Sequence, residues 1–156
     1  MNRLGNLILG LTNLRKISIN KKVEFSSIYI TQAWGGVEQT DYLNMVCAVR
    51  TKLPPLQILN YCQKIEYHAN RKREIKWGAR TLDIDILFLG DEIIQKDRLV
   101  VPHPLLEQRK FALVPLVEMY PKYKHPKLHK TMLHLLDNCQ DKSKVIPTIE
   151  IKHAAI

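Results

Sequence analysis

The sequence predicts an α+β fold: a mostly antiparallel sheet with helices on one face. Three observations predict it. The elements fall in the order helix, strand, strand, helix, strand, then helices. The run from Leu82 to Leu89 is apolar enough to be a central strand. At 156 residues, with no internal repeat, low-complexity tract or linker, the chain reads as a single domain over 1–156. That length is enough to bury most of its apolar surface.

Taken in order, Leu4, Leu7, Ile8, Leu11 and Leu14 fall at helical spacing and predict an amphipathic helix from Arg3 to about Ile17. Val23 to Thr31 is rich in β-branched and aromatic residues and reads as a strand. Gln32 to Thr40, with Gly35-Gly36, reads as a mobile loop. Tyr42 to Thr51 is a second strand, with Leu43, Met45, Cys47 and Val49 on its core face and Tyr42, Asn44, Val46 and Ala48 on the other. Pro54-Pro55 opens a helix reaching about Ala69, since proline suits a first turn. Asn70 to Ala79 is a basic connection before the strand Leu82 to Leu89. Gly90-Asp91 is a turn, Ile93-Ile94 a short returning strand, and Pro102-His103-Pro104 a rigid corner. Leu105 to Leu116 reads as a helix interrupted near Pro115. A basic loop with Pro121 and Pro126, a short helix at Met132 to Leu136 and a strand at Val145 to Ile151 complete the chain. A strand ahead of the first helix would make the pattern β-α-β-β-α-β, the ferredoxin-like order.

The formal net charge of +9 favours anionic partners without choosing among nucleic acid, phosphorylated small molecules and anionic membrane. Cys47, Cys62 and Cys139 form no C-x-x-C pair and no disulfide framework, so reduced thiols and a cytoplasmic location are expected. No apolar run is long enough to span a bilayer. Leu4 to Leu14 is too interrupted for a cleavable signal. The absence of G-x-x-x-x-G-K-[ST] excludes the usual P-loop mechanism.

The chemistry centres on Asp83-Ile84-Asp85. On a strand the two carboxylates share one face and repel unless a cation lies between them. Solvated alternation normally runs the length of a strand, whereas here it stops after two residues, leaving Ile86 to Leu89 apolar. Magnesium takes one or two carboxylates together with substrate phosphates. Arg71, Arg73 and Arg80 lie just upstream, and arginine suits forked contacts with phosphate oxygens. A Mg²⁺-nucleotide site follows. Gln63 and Glu66, three apart, read by themselves as an exposed helix face. His103 either bonds a backbone carbonyl or serves phosphate as donor, acid or base; both readings stay open. Tyr42, Trp77 and Phe111 are core residues or aromatic platforms, and Tyr42 and Trp77 flank loops.

Together these residues resemble the 6-hydroxymethyl-7,8-dihydropterin pyrophosphokinase family of folate biosynthesis. The resemblance is close over W-G-A-R-T-L-D-I-D-I-L at Trp77 to Leu87, with Ala79 where the family usually has proline, and over R-L-x-V-P-H-P at Arg98 to Pro104. S-S-I-Y-I-T at Ser26 to Thr31, Q-T-D-Y-L-N at Gln39 to Asn44, Q-K-I-E at Gln63 to Glu66 and R-K-R at Arg71 to Arg73 fit as well. The motif-bearing part runs to about Leu116.

The resemblance implies a ferredoxin-like fold and transfer of pyrophosphate from ATP to the pterin alcohol, releasing AMP. It implies two Mg²⁺ ions on Asp83 and Asp85, and Arg71, Arg80, Arg98, His103 and Arg109 on phosphates or nucleotide, with Arg73 weaker. Of these, Arg71, Arg80 and His103 are the implied catalytic groups. Gln63, Glu66 and Ile86 would lie near the nucleotide. Tyr42 and Phe111 would hold the pterin, with Asn44, Thr31 and Trp34 at its polar edge and Trp77 sealing the site. The implied partners are ATP and the pterin, with no nucleic acid, no membrane and a monomeric state.

One departure stands out. The family opens with a strand ending in G-S-N-x-G, whereas Met1-Asn2-Arg3-Leu4 already enters the first helix. The first strand is therefore expected to be missing, through a start assigned too late or a truncated chain; the intact later motifs favour the former. A basic nucleic-acid-binding module accounts for the charge but not for Asp83 and Asp85. A folded remnant that binds without turnover is the third reading.

Overall fold

Both long strands expected from the sequence are broken in the middle, and the two breaks meet. The computed structural model describes residues 3–31, 42–70 and 82–149. In place of Val23 to Thr31 stand β1 (Val23–Phe25) and β2 (Ile28–Thr31). In place of Tyr42 to Thr51 stand β3 (Tyr42–Asn44) and β4 (Cys47–Val49). Between them, the Ser26 N–H donates to the Val46 carbonyl at 2.9 Å. The Val46 N–H donates to Ser26 Oγ at 3.0 Å, and the Ser26 hydroxyl donates to the Ser27 carbonyl at 2.8 Å. Buried backbone groups must find partners, and here a fully buried hydroxyl supplies what the interrupted ladder does not. The chain thereby changes ladders: β1 pairs with β4, and β2 with β3.

Strand β2 is central in the order β3-β2-β7, where β7 is Val145–Ile149. Both pairings are antiparallel, with Thr31 opposite Tyr42 on one side and Val145 on the other. Pro147 lies on β7 at the side of the sheet, where a missing N–H is tolerated. A separate antiparallel hairpin joins β5 (Ile94–Lys96) to β6 (Leu99–Val101) through the two-residue turn Asp97-Arg98. After it the Val101–Pro102 bond is cis.

Helix α1 (Arg3–Ile17) occupies its expected span but buries a narrower stripe, Gly10, Leu11 and Leu14. Leu4 and Ile8, expected to face the core, are 36% and 45% exposed. The close approach is made at Gly10, where Leu82 comes within 3.5 Å of the place a Cβ would occupy. Helix α2 (Pro55–Asn70) buries Cys62, Ile65 and Ala69. Burial, reinforced by the Glu66 charge, pushes the Cys62 thiol up to about 11, so it stays protonated. The three cysteines form no disulfide. Among the described residues no helix is long and apolar enough to cross a membrane.

The described chain is α+β and divides into two compact units. One gathers residues 3–24, 48–70 and 82–86; the other gathers 25–31, 42–47 and 87–149. The second is built on Leu106, Leu113 and Met132, none of them accessible to solvent, with Ala112, Leu116 and Leu135 around them. Its main helix differs from expectation. A 3-10 turn at Leu106–Gln108 comes first, the chain breaks at Arg109, and α3 (Lys110–Met119) then runs through Pro115. Pro115 offers no N–H to the Phe111 carbonyl, yet it is wholly buried, and its packing offsets the lost bond. Helix α4 (Met132–Asp137) is capped by Thr131, whose Oγ1 accepts the His134 N–H at 3.2 Å.

The expected central strand Leu82 to Leu89 is also corrected: it carries no ladder among the described residues. Its period survives, with Leu82 buried, Asp83 exposed, Ile84 half-buried and Asp85 exposed. Two of its backbone groups are instead taken by the rest of the chain. The Ile84 N–H goes to the Glu66 side chain, and the Leu87 carbonyl accepts the His103 N–H.

Leu113→Ala should cost about 2–5 kcal/mol, as expected for a fully buried leucine, read from the urea midpoint. A second outcome concerns His125, whose Nδ1 accepts the N–H groups of Lys127 and Leu128 at 3.2 Å each. Burial pushes its pKa down, against an opposing pull from Glu107. Below pH about 6.5 the unfolded histidine takes up a proton that the folded one resists, so the unfolded state binds more protons there. Stability from His125 is therefore complete above that pH and lost as pH falls through the window beneath it. Urea midpoints between pH 7.5 and about 5.5 should fall with pH, and less steeply in His125→Asn, which keeps an acceptor near Nδ1 without the titration.

Candidate active site

One group of the predicted residues is laid out by the β2–β3 register. Thr31 lies opposite Tyr42 and Tyr29 opposite Asn44, so these four side chains share one sheet face. Asn44 Nδ2 donates to Thr31 Oγ1 at 2.6 Å, which fixes the amide. Thr31 is buried, Asn44 half-buried, and Tyr42, at the start of its strand, 41% exposed. The arrangement offers an accessible ring beside an oriented amide, suited to a flat molecule with a polar edge.

In the same unit, Arg109 joins two further predicted residues. Its Nη1 lies 3.4 Å from His103 Nε2, and its guanidinium sits 5.9 Å from the centre of the Phe111 ring, within cation–π range. Arg109 owes this placement to the break between the 3-10 turn and α3, where it adopts non-helical angles. His103 is held by its own N–H on the Leu87 carbonyl at 2.9 Å. Arg98, the fifth residue before His103, lies exposed in the β5–β6 turn.

The other unit carries Gln63, Glu66, Asp83, Asp85 and Ile86. Gln63 is exposed on α2, as the spacing suggests. Glu66 is not simply an exposed helix residue: its Oε1 accepts the Ile84 N–H at 2.7 Å. That N–H lies between the two aspartates, so Glu66 braces the backbone carrying both. Asp83 and Asp85 are exposed, and the half-buried Ile86 follows them. Among the described residues no cluster of three or more His, Cys, Asp or Glu side chains could cage a metal. Two aspartates are the donor number of a Mg²⁺ completed by substrate phosphates, so the donor chemistry fits that ion. Trp34, Arg71, Arg73, Trp77 and Arg80 lie outside the described residues, as do the expected loop Gln32 to Thr40 and most of the basic connection after Asn70.

Sequence reasoning missed Glu118, and it placed Ser26 and Ser27 in the S-S-I-Y-I-T motif without giving either a role. Ser26 was the residue of a strand that had to switch ladders. Ser27 and Glu118 are joined by hydrogen bonds across 91 residues of sequence, a pairing that the S-S-I-Y-I-T motif does not name.

Removing the brace should be measurable. Glu66→Ala leaves the Ile84 N–H without its charged acceptor and should lower unfolding stability by about 1.5–3 kcal/mol, seen as a drop in urea midpoint at pH 7. An unchanged midpoint would show that water replaces the carboxylate at no cost.

Residues 1–121 match the family model described as 7,8-dihydro-6-hydroxymethylpterin-pyrophosphokinase. The chain is 37% identical over 130 residues to the 2-amino-4-hydroxy-6-hydroxymethyldihydropteridine pyrophosphokinase of Aquifex aeolicus, covering 83% of this chain and 80% of that one. The enzyme of the same name from Haemophilus influenzae is 42% identical over 110 residues, 70% of this chain and 69% of its own length. That from Synechocystis is 35% identical over 150 residues, 95% of this chain and 76% of the relative. The match runs through both compact units, from α1 past the end of α3. This chain belongs to the 7,8-dihydro-6-hydroxymethylpterin-pyrophosphokinase family.

Proposed function

We propose that the chain transfers the pyrophosphoryl group of ATP to the hydroxymethyl oxygen of 6-hydroxymethyl-7,8-dihydropterin, a step of folate biosynthesis. The pterin oxygen bonds to the β-phosphorus, the bond from that phosphorus to the α-phosphate oxygen breaks, AMP leaves, and the alcohol proton is released. The observation that carries this reading is the family match over residues 1–121. On it, both units belong to one catalytic domain of ferredoxin-like class, working as a monomer in the cytoplasm without nucleic acid or membrane.

Asp83 and Asp85 hold two Mg²⁺ ions on the triphosphate. When bound, these ions neutralise phosphate charge and stabilise the attacking and leaving oxygens. Arg71, Arg80, Arg98, His103 and Arg109 bind phosphate oxygens or nucleotide, with Arg73 beside them. Such transfer needs positioning and charge neutralisation more than covalent help, and the arginines and His103 supply both as charge moves toward the departing AMP. The 3.4 Å approach of Arg109 to His103 supports a shared anion-binding role. Gln63, Glu66 and Ile86 border the nucleotide, and Glu66 also steadies the Asp83–Asp85 backbone through Ile84. Tyr42 and Phe111 hold the pterin between rings, Asn44, Thr31 and Trp34 read its polar edge, and Trp77 seals the site against water.

The test is AMP formation with each component omitted in turn. AMP should appear only when ATP, Mg²⁺ and the reduced pterin alcohol are all present; its absence from folded protein would sink the proposal. Asp83→Ala and Asp85→Ala should each lower turnover at least about 100-fold, with the urea midpoint close to wild type. Undiminished turnover would remove that aspartate from the mechanism.

A further inference from the structure

Glu118 sits near the end of α3 and receives four hydrogen bonds from β2 and the residue before it. The Ser27 N–H donates to Oε1 and Oε2, each at 3.0 Å. The Ser27 hydroxyl donates to Oε1 at 2.9 Å, and the Tyr29 hydroxyl to Oε2 at 2.8 Å. Burial, followed by the bond to Glu118, pushes the Tyr29 hydroxyl up to about 12, so it remains a donor. Glu118 itself is exposed, and this demand for a carboxylate is not met by the family roles assigned above.

Tyr29 and Thr31 follow one another at period 2 on the face of β2 that also meets Asn44 and Tyr42, and Ser27, just before β2, reaches the same Glu118 carboxylate as Tyr29. Phe111 and Glu118 are seven residues apart on α3, two turns along nearly the same helix face. The other end of α3 is tied as well. The Lys110 N–H donates to Asp141 Oδ2 at 3.1 Å, and the segment after Asp141 enters β7, whose Val145 pairs with Thr31. Partial burial works against the Asp141 charge, but the Ser143 N–H and then the Lys110 N–H outweigh it and hold the carboxyl below its usual range. Helix α3 therefore runs antiparallel to β2. Glu118 is fastened at the start of the strand, and Phe111 is carried toward its Thr31 end.

We propose that Glu118 is a positioning residue for the pterin wall: by clamping α3 onto Ser27 and Tyr29, it sets the separation between Phe111 and the Thr31–Asn44–Tyr42 face. This rests on the pterin assignment above. The clamp acts on the aromatic substrate rather than on ATP, because its anchors and the residues it positions lie on β2, β3 and α3.

The experiment measures KM for the pterin and for ATP, with kcat, in wild type, Glu118→Ala, Glu118→Gln and Tyr29→Phe. Glu118→Ala should raise the pterin KM about tenfold or more, the order expected when a reacting partner is slightly misplaced, with the ATP KM within about twofold. Glu118→Gln, which keeps one acceptor oxygen for Ser27, should recover part of that loss, and Tyr29→Phe should lie between it and wild type. A Glu118→Ala enzyme with unchanged pterin KM and lowered kcat or melting temperature overturns the clamp, since that is what a purely structural residue gives. If Glu118→Ala does not fold, an unchanged pterin KM in Tyr29→Phe and Glu118→Gln together overturns it. Wild-type protein that forms no AMP instead fails the functional reading, and the clamp with it.

Discussion

Strand β2 is hydrogen-bonded along both edges, and much of the second unit takes its position from that. β3 on one side and β7 on the other both hold Tyr29, Ile30 and Thr31 in register, and β7 pairs Ile28 as well. A slip of one residue would turn Thr31 and Tyr29 to the opposite face and separate Thr31 from the Asn44 amide it orients. The irregularity needed to reach this arrangement is absorbed just upstream. Ser26 gives the Val46 backbone both an acceptor and a donor, so β1 and β4 can leave the ladder without stranding buried polar groups. The one register shift in the β2–β7 ladder falls between Ile28 and Tyr29, away from the Thr31 end.

Arginine at position 109 does two things that a lysine could not do together. The guanidinium is planar, with donors around its edge and a face able to lie over a ring. Here the edge approaches His103 and the cation stands over Phe111. One residue thus couples the corner after β6 to the first turn of α3. It can do so because the chain leaves helical angles at Arg109 before α3 begins. A continuous helix from Leu105 would have aimed this side chain by helical periodicity alone.

What could be read in advance follows the reach of the forces involved. Local signals were legible. The spans of α1 and α2, the short α4 and the late strand at Val145 all follow from spacing, proline position and β-branched content. The family was legible too, because its motifs lie in order along the chain. Non-local pairings were not. Nothing in Met45-Val46 announces the break between β3 and β4, since valine suits a strand and the alternation continues through it. Leu82 to Leu89 reads as a strand, but whether a ladder forms depends on neighbours that the sequence pattern does not name. Glu66 was legible as a helix-face position, while its bond to Ile84 depends on where a segment eighteen residues further on is brought. Pro115 misled because its local cost is visible in sequence and its burial is not.

The pairing of β7 with β2 has a consequence for the order of assembly. One edge of β2 is completed by residues near the other end of the described chain, with Thr31 meeting Val145. Contacts so distant in sequence are slow to form, because the intervening loop must lose its freedom before the ladder returns anything. During synthesis β2 emerges well before β7, so the edge that β7 pairs must wait for it. An exposed strand edge is a template for pairing with other chains. The stretch after Leu116, which carries few of the recognisable motifs, thus supplies the strand that closes this edge of β2.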